Sequence, residues 1–214
     1  MLFTAFDTTD KKKYQQKIEM QASTDFLTGL LIRMSCERDL AKFIDETNRN
    51  GSFGSILYID LDDFKHINDG LGHQYGDALL RNIAHSFSQI RGIEDTCYRM
   101  GGDEFVIIIS PAVFEQEERI INEIKAIFDR PWFLKDADYY CRMSMGRVRF
   151  PDGGEDVQEL IKNADIAMYA AKRDGKKRSA EYEEKFGTGI ASDRRLDMEK
   201  NMRQATEGDY REFL

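Results

Sequence analysis

Apolar residues recur along this chain with two different spacings. Spacings of three and four residues predict amphipathic helices, whereas short apolar runs between turn-forming residues predict buried strands. The four strongest helical segments are Met34–Asn48, Ala78–Ile90, Glu115–Phe128 and Val157–Lys172. The four strand-like segments are Phe53–Leu61, Thr96–Met100, Glu104–Ser110 and Tyr139–Phe150. Their order predicts an α+β or α/β sandwich, with a largely antiparallel central sheet flanked by helices.

A glycine pair runs directly into two carboxylates at Gly101–Glu104, between two of the strand-like segments. Glycines accept positive φ angles, so this sequence predicts a tight hairpin turn with the acids at its tip. A second acidic cluster, Asp60–Asp63, ends an earlier strand. Either cluster alone is well explained by solvated turn residues. Together, at the ends of neighbouring strands, they predict a site for a hard divalent cation, which prefers oxygen ligands.

The segment from Lys65 to Asp77 is rich in glycine and polar residues. We expect a loop here, and backbone amides in a loop beside a lysine can cradle phosphates. Asn68 and Asp77 have the donor and acceptor groups that can read a guanine edge, although their spacing alone favours ordinary turn and helix-cap chemistry. A basic cluster at Lys172–Arg178 is explained either by a phosphate clamp or by cations that suit a helix end.

Charge and composition limit the partners. The net charge is -8 and the isoelectric point is near 5.1, which argues against nucleic-acid binding because such binding needs an electropositive face. A polyphosphate substrate would therefore need metal ions and a few local cations. The three cysteines are far apart and indicate neither a zinc site nor a disulfide framework, so we expect a cytoplasmic location. Membrane attachment of a longer parent protein stays open.

Five separated motifs resemble, in order and spacing, those of GGDEF diguanylate cyclase domains. They are Asp25–Leu30, Asp60–Lys65, Asn68-Asp69 with Gly72-His73 and Gly76-Asp77, Gly101–Phe105, and Ala171-Lys172 with Gly175. The resemblance covers roughly residues 22–180 and implies a nucleotide-cyclase-like fold whose β-hairpin carries the GGDEF motif. It also implies condensation of two GTP into cyclic di-GMP, with release of pyrophosphate, at the interface of a homodimer.

The resemblance implies a metal site and a catalytic group. Asp60, Asp103 and the Leu61 carbonyl would bind magnesium or manganese. Glu104 would assist metal binding or remove the proton from the attacking 3′-hydroxyl. The catalytic residues would accordingly be Asp60, Asp103 and Glu104.

The resemblance implies a nucleotide site as well. Asn68 and Asp77 would read guanine, and the two glycines would leave room for the nucleotide over the hairpin. The phosphates would meet the remaining group of residues: the backbone at Asp63 and Phe64, with Lys65, Lys172 and Lys176.

Three positions depart from the usual family pattern. Lys176 stands where arginine is usual, which keeps the charge but loses the bidentate fork. Ile32 stands where asparagine is frequent, and we expect only a local packing change. At the RxxD product-inhibition site Asp95 is retained, but Gly92 replaces the arginine and Arg91 is one residue away. Product inhibition through this site is therefore predicted to be absent or weak.

The ends resemble pieces of other domains. Residues 1–21 resemble the end of a PAS sensor and its linker helix, and residues 181–214 resemble a linker and the start of an EAL phosphodiesterase domain. The resulting division is 1–21, 22–180 and 181–214, within a parent of sensor, cyclase and phosphodiesterase in series. The predicted function is diguanylate cyclase; the alternative is a catalytically silent GTP-binding module that regulates an adjoining EAL phosphodiesterase.

Overall fold

Residues 23–173 and 179–182 are described in this computed structural model. The α-helices are α1 (Arg33–Asn50), α2 (Phe64–Leu71), α3 (His73–Ser88), α4 (Glu117–Ile127) and α5 (Val157–Arg173), and a 3-10 helix spans Pro111–Gln116. The strands are β1 (Leu31–Ile32), β2 (Gly54–Asp62), β3 (Cys97–Gly101), β4 (Glu104–Ile109), β5 (Trp132–Leu134), β6 (Ala137–Tyr139), β7 (Arg142–Phe150) and β8 (Ser179–Glu181).

Six strands form one sheet in the order β1-β3-β4-β2-β7-β8. The inner pairs β3-β4, β4-β2 and β2-β7 are antiparallel, and the outer strands β1 and β8 pair in parallel. Helices cover both faces: Leu57 and Ile59 of β2 join the core with α3 and α4, and Ile56 and Tyr58 join the core with α1 and α5. The predicted sandwich around a largely antiparallel sheet is confirmed, and its burial on both faces explains the uninterrupted apolar run of β2.

The segment after β2 differs from the expected loop. Helix α2 begins at Phe64, directly after Asp63, and α3 begins at His73 rather than at Ala78. The prediction of a loop was wrong because α2 has only eight residues and ends in a turn-like sequence, so no helical period is visible; the phosphate-binding role of this segment stays a prediction. The short hairpin of β5 and β6 was also missed, and β7 begins at Arg142 rather than at Tyr139.

Gly146 lets α5 approach the sheet closely. A Cβ added at Gly146 of β7 would lie 2.0 Å from the Ala164 carbonyl oxygen and 2.2 Å from the Met168 nitrogen, both in the backbone of α5. No larger side chain fits without moving the helix. This contact fixes the course of α5 across the sheet and hence where its last turn, which carries Lys172, ends.

Several predictions fall outside the described residues. These are the PAS-like end and linker helix, the EAL-like start, and Lys176. No helix in the described part of the chain combines the length and the apolar composition that crossing a membrane requires.

Candidate active site

The two acidic clusters meet at one edge of the sheet. Strands β2 and β4 are antiparallel neighbours, and their register places Asp60 directly opposite Glu104. The next residue of β2, Leu61, donates its backbone N–H to the carbonyl oxygen of Asp103 at 3.3 Å. The backbone therefore holds Asp60, Leu61, Asp103 and Glu104 together, as the sequence predicted for the ends of neighbouring strands.

Lys172 reaches the same edge from the last turn of α5. Its Nζ donates to Asp60 Oδ1 at 2.5 Å. Burial opposes the lysine's charge, but the hydrogen bond and the charge of Asp60 outweigh it and raise the pKa of Lys172 above its ordinary value. The lysine therefore stays protonated beside a candidate metal ligand, where it neutralises one of the clustered carboxylates.

The surroundings of Asp103 disfavour its ionised form. Burial and then the nearby charge of Asp60 raise the pKa of Asp103 to about 6. Glu104 accepts a hydrogen bond from the Tyr58 hydroxyl at Oε2, at 3.0 Å. A cation placed between Asp60 and Asp103 would remove the repulsion that raises this pKa.

The oxygen atoms of Asp60, Asp103 and Leu61 suit a magnesium-like ion, which takes only part of its coordination shell from the protein. No group of three or more His, Cys, Asp and Glu side chains within residues 23–173 and 179–182 is arranged to hold a metal ion. Magnesium usually binds through one or two carboxylates, with waters and substrate phosphates completing its octahedron. Asp60, Asp103 and the adjacent Leu61 backbone match that pattern.

Asp62, the second acid of its cluster, has a separate partner. The Ser144 hydroxyl of the neighbouring strand β7 donates to Asp62 Oδ1 at 2.8 Å. Burial raises the pKa of Asp62 above its ordinary value, even though this hydrogen bond acts in the opposite direction. Ser144 could not be identified from the sequence, because it meets Asp62 only through the β2-β7 register.

The glycine pair forms the predicted turn and leaves open space above it. Gly101 has a φ of 145° and Gly102 a φ of 51°, and a Cβ at either position would meet no atom within 4 Å. The glycines are therefore required by the backbone of the turn, and not by neighbouring protein atoms. The space is compatible with a nucleotide lying over the hairpin.

Arg99 fastens this turn to the loop before β1. Its Nε and Nη2 donate to the Gly102 carbonyl at 3.1 and 2.7 Å, and its Nη1 donates to Asp25 Oδ1 at 2.9 Å. The Thr28 backbone N–H and hydroxyl donate to the same oxygen of Asp25. Although burial acts in the opposite direction, these bonds lower the pKa of Asp25. The sequence reasoning missed Arg99, whose role depends on contacts across 74 positions.

The two candidate guanine readers lie on the helical hairpin of α2 and α3. The Asn68 carboxamide of α2 lies directly over Gly76, the residue before Asp77 in α3. Asp77 lines a cavity of about 820 Å³ together with Gly101 and Gly102. Asp77 and the glycine pair therefore border the same cavity. Asn68 packs from α2 against Gly76, the neighbour of Asp77 in α3.

Three of the residues proposed to bind phosphate, Asp63, Phe64 and Lys65, lie at the start of α2. Asp63 has a φ of 58°, and its side chain is exposed. Phe64 and Lys65 follow in the first turn of α2, where backbone N–H groups have no partner within the helix. Lys65 is exposed, and Lys172 is hydrogen-bonded to Asp60.

The loop at the candidate product-inhibition site turns at Gly92. This residue has a φ of 101°, and its N–H donates to Glu94 at 2.7 Å. Arg119 of α4 donates to the Arg91 carbonyl at 2.8 Å. An arginine at position 92 would be strained in this backbone, so the loop differs from an RxxD site by more than one side chain. Weak or absent product inhibition stays a prediction.

Comparison with known proteins gives the same family for sequence and fold. The family described as "Diguanylate cyclase, GGDEF domain" matches residues 22–178. The chain is 28% identical over 209 residues to the Escherichia coli protein named cyclic di-GMP phosphodiesterase PdeR, covering 98% of this chain and 31% of PdeR. It is 34% identical over 171 residues to the E. coli diguanylate cyclase DosC, covering 78% of this chain and 37% of DosC. The chain thus spans about a third of the length of each relative.

A solved structure agrees with the sequence comparison. The GGDEF domain of PA1120 (TpbB or YfiN) from Pseudomonas aeruginosa superimposes with a TM-score of 0.66 at 32% identity, covering 74% of this chain and 92% of that one. The matched segment includes both acidic clusters and the hairpin turn between β3 and β4. With the carboxylates, the glycine turn and Lys172 gathered at one sheet edge, the chain belongs to the GGDEF domain family of diguanylate cyclases.

Proposed function

We propose that this domain is a diguanylate cyclase, which condenses two GTP into cyclic di-GMP and two pyrophosphates. The observation that carries the proposal is the register of β2 against β4, which sets Asp60 opposite Glu104 with Asp103 one residue away. Membership of the GGDEF family supports it.

Magnesium or manganese, held by Asp60, Asp103 and the Leu61 carbonyl, would neutralise phosphate charge and lower the pKa of the attacking hydroxyl. Glu104 assists by holding the metal or by accepting the proton of the 3′-hydroxyl. That hydroxyl oxygen forms a bond to the α-phosphorus of the second GTP, and the bond from this phosphorus to the bridging oxygen of pyrophosphate breaks. A second, equivalent step closes the ring.

Substrate choice rests on Asn68 and Asp77. A carboxylate accepts hydrogen bonds from the ring N–H and the amino group of guanine together, which adenine cannot supply. The triphosphate is met by the backbone at Asp63 and Phe64, and by Lys65, Lys172 and Lys176.

The reaction needs a second copy of the domain. Each copy presents one GTP, and the two hydroxyls attack in opposite directions across a homodimer interface. We place the reaction in the cytoplasm, where GTP is available. Residues 22–180 form the catalytic unit in this proposal, and residues 1–21 and 181–214 connect it to PAS-like and EAL-like domains of a longer parent.

A second candidate is a GTP-binding module that regulates an adjoining phosphodiesterase without turnover. It is favoured by the alignment of 98% of this chain with PdeR, a protein named as a cyclic di-GMP phosphodiesterase. Both candidates use the same residues to bind GTP.

Turnover by site variants separates the two candidates. The chain is incubated with GTP and magnesium, and cyclic di-GMP is measured for the wild type, Asp103→Ala and Glu104→Ala. The cyclase proposal predicts product from the wild type and a loss of about a hundredfold or more in either variant. GTP binding without product, even in a chain fused to a dimerising coiled coil, would favour the regulatory module; equal product from all three would refute the site assignment.

A further inference from the structure

The cavity that contains Asp77 and the glycine pair has a second side, which the proposed GTP contacts do not use. This side is formed by the 25–28 loop and the first turn of α1, and includes Phe26, Arg33, Met34 and Glu37. We propose that these four residues form the contact surface for a second copy of this chain, beside the active site. The inference rests on the proposed function, which requires two GTP-bearing domains to face each other.

Two of the four residues of this surface, Phe26 and Met34, are large apolar side chains that are exposed to solvent. Phe26 is 99% exposed and Met34 is 63% exposed, although both lie at a cavity rim and not in isolation. Exposed apolar groups that cluster beside a functional cavity mark interaction sites, because water contact with them is unfavourable. Aromatic residues and methionine are also enriched at protein interfaces.

Beside Phe26 and Met34 lie two residues of opposite charge, Arg33 and Glu37. Arg33 and Glu37 are four residues apart on α1 and line the same cavity, yet neither makes an ion pair with a residue of the described part of the chain. In a twofold dimer the same patch meets itself, so Arg33 of each copy can lie near Glu37 of the other. This pattern favours a second copy over an unrelated partner.

The backbone of the loop that carries Phe26 is hydrogen-bonded on both sides of this residue. The Asp25 N–H donates to the Leu30 carbonyl at 2.7 Å, and the Gly29 N–H donates to the Asp25 carbonyl at 2.8 Å. Arg99 adds its bond to the Asp25 side chain. Because the loop backbone is already hydrogen-bonded, docking through Phe26 orders mainly its own side chain. The same bonds join this surface to the Gly102 carbonyl, so contact with a second copy is made next to the active-site turn.

Dimerisation and turnover of surface variants test the proposal. GTP affinity is measured with magnesium, the monomer–dimer equilibrium by sedimentation, and cyclic di-GMP formation at several protein concentrations. For Phe26→Ser we expect unchanged GTP affinity, a dimer weakened by about tenfold or more, and a rate that recovers at high protein concentration or in a coiled-coil fusion. Phe133→Ser is the matched control, because Phe133 is 70% exposed on the β5-β6 hairpin and does not line this cavity.

The charges are tested by exchange. Arg33→Glu and Glu37→Arg should each weaken the dimer, and the double variant should restore it. A Phe26→Ser chain that dimerises like the wild type would overturn the proposal, as would a loss of rate that persists in the fusion together with a lower Tm. The latter result would show that Phe26 supports the fold of the domain itself and not the dimer. Sedimentation reads the dimer without turnover, so a wild type that dimerises but makes no product would refute the cyclase function alone.

Discussion

A hydrogen bond of 2.5 Å joins Lys172 Nζ to Asp60 Oδ1 across 112 positions of the sequence. It connects the end of α5 to the end of β2, and so places a proposed phosphate contact directly on a proposed metal ligand. The lysine neutralises Asp60 in the absence of other cations. Binding of a metal and a triphosphate would replace this ion pair with Lys172 on phosphate and Asp60 on the metal.

Lys172→Met should lower kcat/KM for GTP by about tenfold to a hundredfold, the range expected for losing a charged hydrogen bond. The methionine keeps an apolar stem of similar length, and the Lys172 side chain is 42% exposed, so we expect little change in Tm. Steady-state kinetics with GTP and magnesium measure the effect. Lys162→Met is the control, since Lys162 is exposed on the same helix; equal losses in both variants would contradict the assignment.

Asp103 should make the metal-free protein less stable as the pH rises. Burial and Asp60 raise the pKa of Asp103 to about 6 in the folded state, against an ordinary value of 3.8. Below the ordinary value the group is protonated in both the folded and the unfolded chain and contributes nothing. Between the two values the unfolded chain ionises first, so stability falls with rising pH, and above about 6 the full penalty is present.

Asp103→Asn should therefore have a higher Tm than the wild type at neutral pH and a similar Tm near pH 3.8, while losing activity. Thermal melts in a chelator at both pH values measure this difference. A wild type more stable than the variant at neutral pH would show that Asp103 is stabilised by a partner when no metal is bound.

Gly102→Asn should reduce activity more than stability. Asparagine tolerates a φ of 51°, at a cost of about 1 kcal/mol, whereas a β-branched residue would add strain and confuse the result. Its side chain would project into the space proposed for the nucleotide, so we expect turnover to fall at least about tenfold. Gly51→Asn is a matched control, because Gly51 has a φ of 63°, equally open space and a position at the C-terminal end of α1. Similar kinetics for the two variants would argue against a nucleotide over the turn.

Gly146→Ala should destabilise the fold by about 1–3 kcal/mol, as overpacking between backbones does. The added methyl group would press on the α5 backbone at Ala164 and Met168. Displacement of α5 would also move Lys172 away from Asp60, so kcat/KM should fall even under conditions where the variant is fully folded. Chemical denaturation and kinetics measure the two effects; a variant with lower stability but wild-type kinetics would show that α5 positions Lys172 independently of this contact.

Local sequence was enough to predict the main strands and the meeting of the acids. Apolar runs such as that of β2 are buried on both faces, and a glycine pair between two such runs has few alternatives to a hairpin. The helix α2 was missed because eight residues with a turn-like end carry almost no periodicity.

Contacts between distant elements were beyond the sequence. The Ser144 bond to Asp62 depends on the register of β7 against β2, and the Arg99 bond to the Gly102 carbonyl on the shape of the turn itself. Lys172 remained either a clamp or a helix-end cation, because its distance from Asp60 depends on how closely Gly146 lets α5 approach the sheet.

The most direct test of the cyclase function is the stoichiometry of the products made from GTP. A coiled-coil fusion of the wild-type chain is given GTP and magnesium, and cyclic di-GMP and pyrophosphate are quantified over time. The proposal predicts two pyrophosphates for each cyclic di-GMP, and neither product from Asp103→Asn. Bound GTP that is recovered unchanged from the wild-type fusion would contradict it.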